Sequence, residues 1–467
     1  MDWADNEFST LSLGDKRLNA RGKKVLSDLS RNPSDSIPAT CRSAAETKAT
    51  YRFFDHKDVT SKKVHKSHVS CTLERISKHP IVLVAQDTTV LNFTTQKART
   101  DTGPTVSDAS KGVYLHPSLV ITPEKVSLGI LSYKQWHRKE LQHLTKSERT
   151  KRNYARPIES KESYRWLEQY KSMTNYAKKL PGTVFVNIAD READIYELYA
   201  EANFECKEPN AHYIIRAKYN RQLCTREGKK TGDRIKEALL KEKALGEFEL
   251  KDLKDHSGMV RTATLELYTK RIRIEPPKNL KEKPSLEITA ILCREKKPRE
   301  TSEKVEWLLI TDLCVEGFEE AYEKVKWYCC RWQIEIFFKA LKSGCKIEKL
   351  QLSDGNFDAC LVFYMIIAWR ILFVTMVGRA APNVACDCVF SQEEWETTYV
   401  VLNKKKPPVE PPTLNEMIIM VASLGGYLNR KSDPPPGIKA LWLWIRNMQE
   451  HLRAREAFFE AYGGTYG

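Results

Sequence analysis

The sequence predicts an α/β protein. A central α/β unit carries an inserted block of β-strands, with an all-α region before it and a second helical region after it. Three observations lead there. Two short apolar runs, at 81–85 and 184–189, have the texture of strands buried on both faces of a sheet, where alternation is not needed. Between 211 and 309, short alternating stretches are separated by Lys- and Pro-rich loops, the pattern of strands with one wet face. Both ends of the chain instead repeat apolar residues at helical spacing.

Taken in order, Leu18, Arg21, Val25 and Leu29 share a face of a first helix, which Pro33 and Pro38 end. A second helix is expected over 44–54, and a third after the capping stretch Asp58-Val59-Thr60-Ser61. Arg17, Arg21, Lys23, Lys24, Arg31, Arg42 and Lys48 make this region basic. That suits contact with DNA, and it equally suits solvated helix faces; no helix-turn-helix pattern is evident. The strand at 81–85 ends at Asp87-Thr88-Thr89, and strands follow near 113–120 and 126–131. Residues 138–161, with Lys139, Lys146, Arg149, Lys151, Arg152 and Arg156, read as a charged loop. A helix is expected over 162–179. The second buried strand then delivers Asp190-Arg191-Glu192-Ala193-Asp194. Strands near 212–215, 265–274, 286–293 and 306–310 read as an insertion ahead of a helix at 327–344. The apolar run 359–377 contains Arg370 and is flanked by Asp358, which favours a buried helix over a membrane span. A Pro-rich linker spans 404–412. The tail holds two helical stretches broken at 433–437, one carrying Met417, Ile418, Met420, Val421 and Leu424. The other carries Leu441, Trp442, Trp444, Ile445, Met448 and Leu452. The expected domains are 1–72, 73–375 (with the β insertion at about 205–312) and 376–467.

With 467 residues, 41% of them hydrophobic, the chain suits two to four globular domains. A net charge of +15 and a pI near 9.1 point to a polyanionic partner, nucleic acid or an anionic surface. The first ten residues are acidic and polar, unlike a secretory signal. The 12 cysteines lack zinc spacing and read as free thiols of a reducing cytoplasm. Cys386 and Cys388 read as a loop with two thiols, with metal binding as the alternative.

The stretch 327–344, WYCCRWQIEIFFKALKSG, is the most informative. Arg331, Glu335 and Lys342 lie three, seven and fourteen residues after Tyr328, so one helix face would hold a phenol, a guanidinium, a carboxylate and an ammonium. Asp87 and Asp190 each end a core strand, the edge of an open α/β sheet where sites are built. Together with Glu335 they form an all-oxygen donor set that suits a pair of Mg²⁺ ions, with Mn²⁺ as a substitute. Such ions promote in-line phosphoryl transfer.

The spacing Y-x₂-R-x₃-E-x₆-K, as Tyr328, Arg331, Glu335 and Lys342, is similar to the signature of bacterial insertion-sequence transposases of the transposon-five type. Asp190-Arg191-Glu192-Ala193-Asp194 and Asp87-Thr88-Thr89 resemble that family's aspartate motifs. Asp2-Trp3-Ala4, Leu13-Gly14-Asp15 and Tyr51-Arg52-Phe53 are similar to its amino-terminal region. Leu424-Gly425-Gly426-Tyr427 and the Trp-rich last helix are similar to its carboxy-terminal segment. The resemblance implies a ribonuclease-H-like core with a β insertion and an α-helical dimerisation region. It also implies cut-and-paste transposition by a homodimer on DNA, in the bacterial cytoplasm at the nucleoid. Asp87, Asp190 and Glu335 would hold the metals, and Tyr328, Arg331 and Lys342 would grip phosphates. Trp307 would stack near a flipped base during hairpin formation, and it fits equally well as a core strand residue. Arg17, Arg21 and Arg31 would contact the inverted repeats at the transposon ends. Lys339 would pair with Glu335 or touch DNA. Two rival readings remain: a nuclease that cuts without joining, and a non-catalytic DNA-binding regulator. The regulator would be expected to have lost a carboxylate, and all three are present.

Overall fold

The computed structural model describes residues 3–41, 43–140, 145–205, 209–254, 260–297, 304–352, 355–433 and 435–462. At 146, 149, 150, 153, 155, 252–254 and 438–446 it describes the backbone alone. Asp2, Arg42, Pro434, part of the charged stretch and the side chains of Leu441, Trp442, Trp444 and Ile445 therefore lie outside what is described.

Five helices come first: α1 (Trp3–Glu7), α2 (Lys16–Arg31), α3 (Ile37–Thr40), α4 (Ala44–Phe54) and α5 (Ser61–Ile76). Asp15, Ser43 and Thr60 start α2, α4 and α5 by accepting first-turn amides on side-chain oxygens.

The core strands are β1 (Ile81–Gln86), β2 (Thr89–Asn92), β3 (Gly103–Pro104), β4 (Lys111–Ile121), β5 (Ser127–Trp136), β6 (Val184–Ala189) and β7 (Ala211–Arg216). Across the sheet the principal strands run β5-β4-β1-β6-β7. β4 is antiparallel to β5 and β1, whereas β1, β6 and β7 are mutually parallel. This is a ribonuclease-H-like core. Val82 and Val84 face one hydrophobic core and Leu83 and Ala85 the other. Burial on both sides explains the unbroken apolar run.

Helix α6 (Lys146–Ala155) occupies part of the stretch expected to be a loop, and Thr145 and Glu148 cap it reciprocally. Helix α7 (Tyr164–Ala177) covers one face of the sheet, and α8 (Tyr196–Ala200) follows β6. β7 corrects the expected boundary of the insertion: it pairs in parallel with β6 as a core strand, so the insertion begins after it. The inserted block comprises β8 (Gln222–Cys224), β9 (Lys230–Arg234), α9 (Ile235–Leu240), β10 (Gly246–Lys254), β11 (Val260–Ile274), β12 (Leu286–Glu295) and β13 (Glu306–Thr311). β13 pairs antiparallel with β7, so the insertion prolongs the core sheet.

The helix expected over 327–344 is interrupted. It comprises the end of α10 (Phe318–Cys329), a 3₁₀ turn (Cys330–Trp332), α11 (Gln333–Lys339) and a π turn (Ala340–Gly344). α12 (Phe357–Ala380) is long and apolar enough to cross a membrane, yet it is the protein's central core helix. Phe363 meets Phe8, Phe53 and Phe54 edge-on at 5.3, 5.8 and 5.3 Å, tying the first helices to it. α5 lies so close to β5 that a Cβ on Gly129 (φ +151) would fall 2.0 Å from Thr72 Oγ1. α13 (Gln392–Asn403), α14 (Leu414–Leu424) and α15 (Ile438–Tyr462) enclose a separate small core around Trp395, Met417 and Met448.

Candidate active site

β1 and β6 are parallel neighbours, with Ala85 paired to Ile188, so their carboxyl ends bring Asp87 and Asp190 to one edge. Thr88 N–H donates to Asp87 Oδ1 at 2.7 Å. Asp190 caps the turn that follows it and accepts from Glu192 N–H at 2.9 Å. The third carboxylate arrives from the first turn of α11. Arg331, one helical turn earlier, spans the gap: Nη1 donates to Asp87 Oδ2 at 2.9 Å and Nη2 to Glu335 Oε1 at 2.7 Å. Burial pushes the Asp87 carboxyl up to about 6; the Thr88 amide and Arg331 oppose this, and Asp190 and Glu335 add to it. Arg331 thus links Asp87 directly to Glu335, and Asp190 stands at the end of the neighbouring strand.

Tyr328 is buried beside Arg331. Burial raises its hydroxyl's pKa against the pull of Arg331 and Arg216. Trp307, half-buried at the start of β13, meets it edge-on at 5.9 Å. Trp307 is thus a partly buried strand residue in contact with Tyr328. Lys342 lies in the π turn that follows α11. Its Nζ donates to Val90 O at 2.9 Å and pairs with Glu348 at 3.3 Å. Lys339 is exposed, and among the described residues it forms no ion pair; Glu335 takes Arg331 as its i,i−4 cation instead.

On α2, Arg17 is exposed, whereas Arg21 pairs with Glu46 at 2.9 Å and Arg31 with Asp28 at 3.6 Å. The two acids of the 190–194 motif have opposite environments. The Asp194 side chain is fully buried, held by Arg221, by Tyr199 Oη at 2.6 Å and by the amides of Lys218 and Tyr219 at 2.6 and 2.9 Å. It is a structural post, and Asp190 is the acid at the edge. Residues not marked by local sequence also gather here. Arg216 ends β7 beside Tyr328, where burial lowers its pKa, Tyr328 opposes this, and Arg191 and Arg331 add to it. Arg165 reaches in from α7, and Trp332 stands 58% exposed next to Arg331.

Residues 188–371 match the family described as Transposase DDE domain, residues 1–59 match Transposase DNA-binding, and residues 366–462 match Transposase Tn5 dimerisation domain. The chain belongs to the Tn5-type DDE transposases. This transposase is therefore an enzyme acting on DNA, with DNA and a second copy of itself as partners, and it works with divalent metal ions. The DDE match begins after Asp87, so the sheet geometry is what joins that residue to the other two acids. The chain is also similar to a piggyBac transposase in a synaptic complex with hairpin DNA, at 9% identity and a TM-score of 0.35. That match covers 97% of this chain and 77% of the other, and a likeness at that level supports no inference about the site.

The residues fit a divalent ion by their chemistry: three oxygen-bearing anions at one edge, partly compensated by one guanidinium. Among the described residues no three such donors stand close enough to enclose an ion. Arg331 lies between two of them, so the set is open.

Proposed function

We propose that this transposase binds the terminal inverted repeats of a transposon and cleaves each end, through a hairpin intermediate. It then joins the freed ends to target DNA, working as a synaptic homodimer in the cytoplasm. The observation that carries the catalytic reading is the gathering of Asp87, Asp190 and Glu335 at one sheet edge, with Arg331 between the first and the last. These three carboxylates would hold Mg²⁺, or Mn²⁺ in its place, and the ions would supply an activated oxygen nucleophile and stabilise the leaving oxygen. Arg331 would exchange its carboxylates for a phosphate, which its planar fork binds bidentately. Lys342 would leave Val90 and Glu348 to make a point-charge contact. Tyr328 would orient Arg331 and, with Trp307, form an aromatic wall against which an unstacked base could rest. Arg17, Arg21 and Arg31 would contact DNA along α2; the latter two would first release their acids.

Glu335→Gln, incubated with DNA carrying the element's ends and Mg²⁺, is expected to lose cleavage by about 10²–10³-fold while keeping its affinity for the ends. Joined products from the native enzyme would set it apart from a nuclease that only cuts. Retained cleavage in the variant would refute the assignment.

A further inference from the structure

Two side chains beside the aspartates, Thr88 and Glu192, are held by a single buried arginine. Arg165 lies in the first turn of α7, with its side chain 9% exposed. Its Nε donates to Thr88 Oγ1 at 2.8 Å, its Nη1 to Glu162 O at 2.8 Å, and its Nη2 to Glu192 Oε2. Thr88 N–H caps Asp87 at 2.7 Å, and Glu192 N–H caps Asp190 at 2.9 Å. Hydrogen bonds, joined by the covalent frames of Thr88 and Glu192, therefore link Asp87 to Asp190 through Arg165.

We infer that Arg165 is a positioning residue that fixes the separation and aim of the two aspartates, and so sets the affinity of the transposase for its divalent ions. The inference rests on the catalytic reading above. The rest of the bracket is hydrogen-bonded and packed against rings. Thr88 Oγ1 already accepts from Arg165, so its own hydrogen goes to His116 Nδ1 at 2.9 Å. The other imidazole nitrogen, carrying the proton, then donates to Gln86 Oε1 at 3.2 Å. Burial pulls the pKa of His116 well down, which keeps it in this neutral form. Trp166 and Trp136 flank the guanidinium at 5.4 and 5.7 Å. A fork of fixed geometry can hold both partners at once, and an ammonium on a flexible stem cannot. Groups that orient metal-ligating carboxylates from behind are commonly worth 10–100-fold in metal affinity.

The test uses full-length protein and two variants, Arg165→Lys and Glu192→Gln. The Glu192 side chain is 60% exposed, so its replacement does not threaten folding. Mn²⁺ binding is measured without DNA, from the free-ion paramagnetic resonance signal. Nicking of plasmid DNA carrying the element's ends is then titrated with Mg²⁺. Both variants are expected to bind Mn²⁺ about 10–100-fold more weakly, to recover nicking at high metal, and to bind DNA in chelator as the native protein does. Native Mn²⁺ affinity in both variants would overturn the inference. Native Mn²⁺ binding and cleavage in Glu335→Gln would overturn the catalytic reading and the inference with it.

Discussion

Glu7 offers a quantitative test of how the DNA-binding region is fastened to the catalytic sheet. Its side chain, 5% exposed, accepts from Arg75 Nη1 at 2.9 Å and Nη2 at 3.1 Å and from His68 Nδ1 at 2.5 Å. His68 is buried, and its other nitrogen accepts from Ile130 N–H at 2.9 Å on β5, so the ring is neutral and donates to Glu7. Arg75 also donates to Leu128 O at 2.6 Å and lies over Trp369 of α12 at 4.3 Å. One carboxylate thus joins α1, α5, β5 and α12. Burial pushes that carboxyl up, but His68 and Arg75 more than reverse the effect and hold it at about 2 instead of 4.5. At about 1.4 kcal/mol per tenfold in the equilibrium, the full displacement corresponds to about 3.5 kcal/mol; because the neutral His68 supplies a hydrogen bond and no charge, about 2–3 kcal/mol of folding free energy is the expected share. Because the folded value is depressed, this stability is present above pH 4.5 and is lost as pH falls towards 2. Glu7→Gln should therefore lower the urea-unfolding free energy by about 2–3 kcal/mol at pH 7, and the deficit should shrink steadily below pH 4.5. His65, whose buried imidazole is pulled down to about 3, costs both proteins stability as pH falls below 6.5 and cancels in the difference. Urea midpoints followed by tryptophan fluorescence from pH 7 to pH 3 give the answer. A deficit that stays constant with pH, or one under about 1 kcal/mol at neutral pH, would refute the reasoning.

Two further outcomes follow from the site. Arg331→Ala removes the cation between Asp87 and Glu335, so Mn²⁺ no longer competes with it. At roughly 1 kcal/mol for the lost pairing, metal should bind about fivefold more tightly while cleavage falls, and weaker metal binding would show that Arg331 organises the acids instead. Asp194→Asn strands Arg221 without its charge partner and should cost about 3–5 kcal/mol in urea unfolding, with the remaining folded molecules still cleaving. A stable but inactive Asp194→Asn protein would transfer the second catalytic position from 190 to 194.

What could be read directly from the sequence was whatever depends on local physics. The strand runs at 81–85 and 184–189 were visible because burial on both faces removes alternation, and their terminal aspartates came with them. The start of α5 was visible because Thr60, within the stretch read as a cap, is a strong capping residue. Helix α6 was missed although its Thr145–Glu148 box is local, because its charge density outweighed a signal of two residues. β7 was assigned to the insertion because one short apolar strand looks like another. Its place in the core depends on parallel pairing with β6, which a chain that returns through α8 makes possible.

The same distinction applies along the Tyr-Arg-Glu-Lys face. A period of 3.6 residues holds Arg331 and Glu335 in register across one turn, and there the expectation matches the 2.7 Å contact. Seven residues further on, Lys342 meets Val90 of β2, three residues beyond Asp87, a partner that only the folded sheet supplies. Arg165 could not be found this way at all, since its partners Thr88 and Glu192 lie 77 and 27 residues away and only the closed sheet makes them neighbours. The types and order of the acids follow from chain chemistry, but their spacing follows from tertiary contacts such as this one. A family signature can therefore mark the reacting groups while leaving unmarked the arginine that aims them.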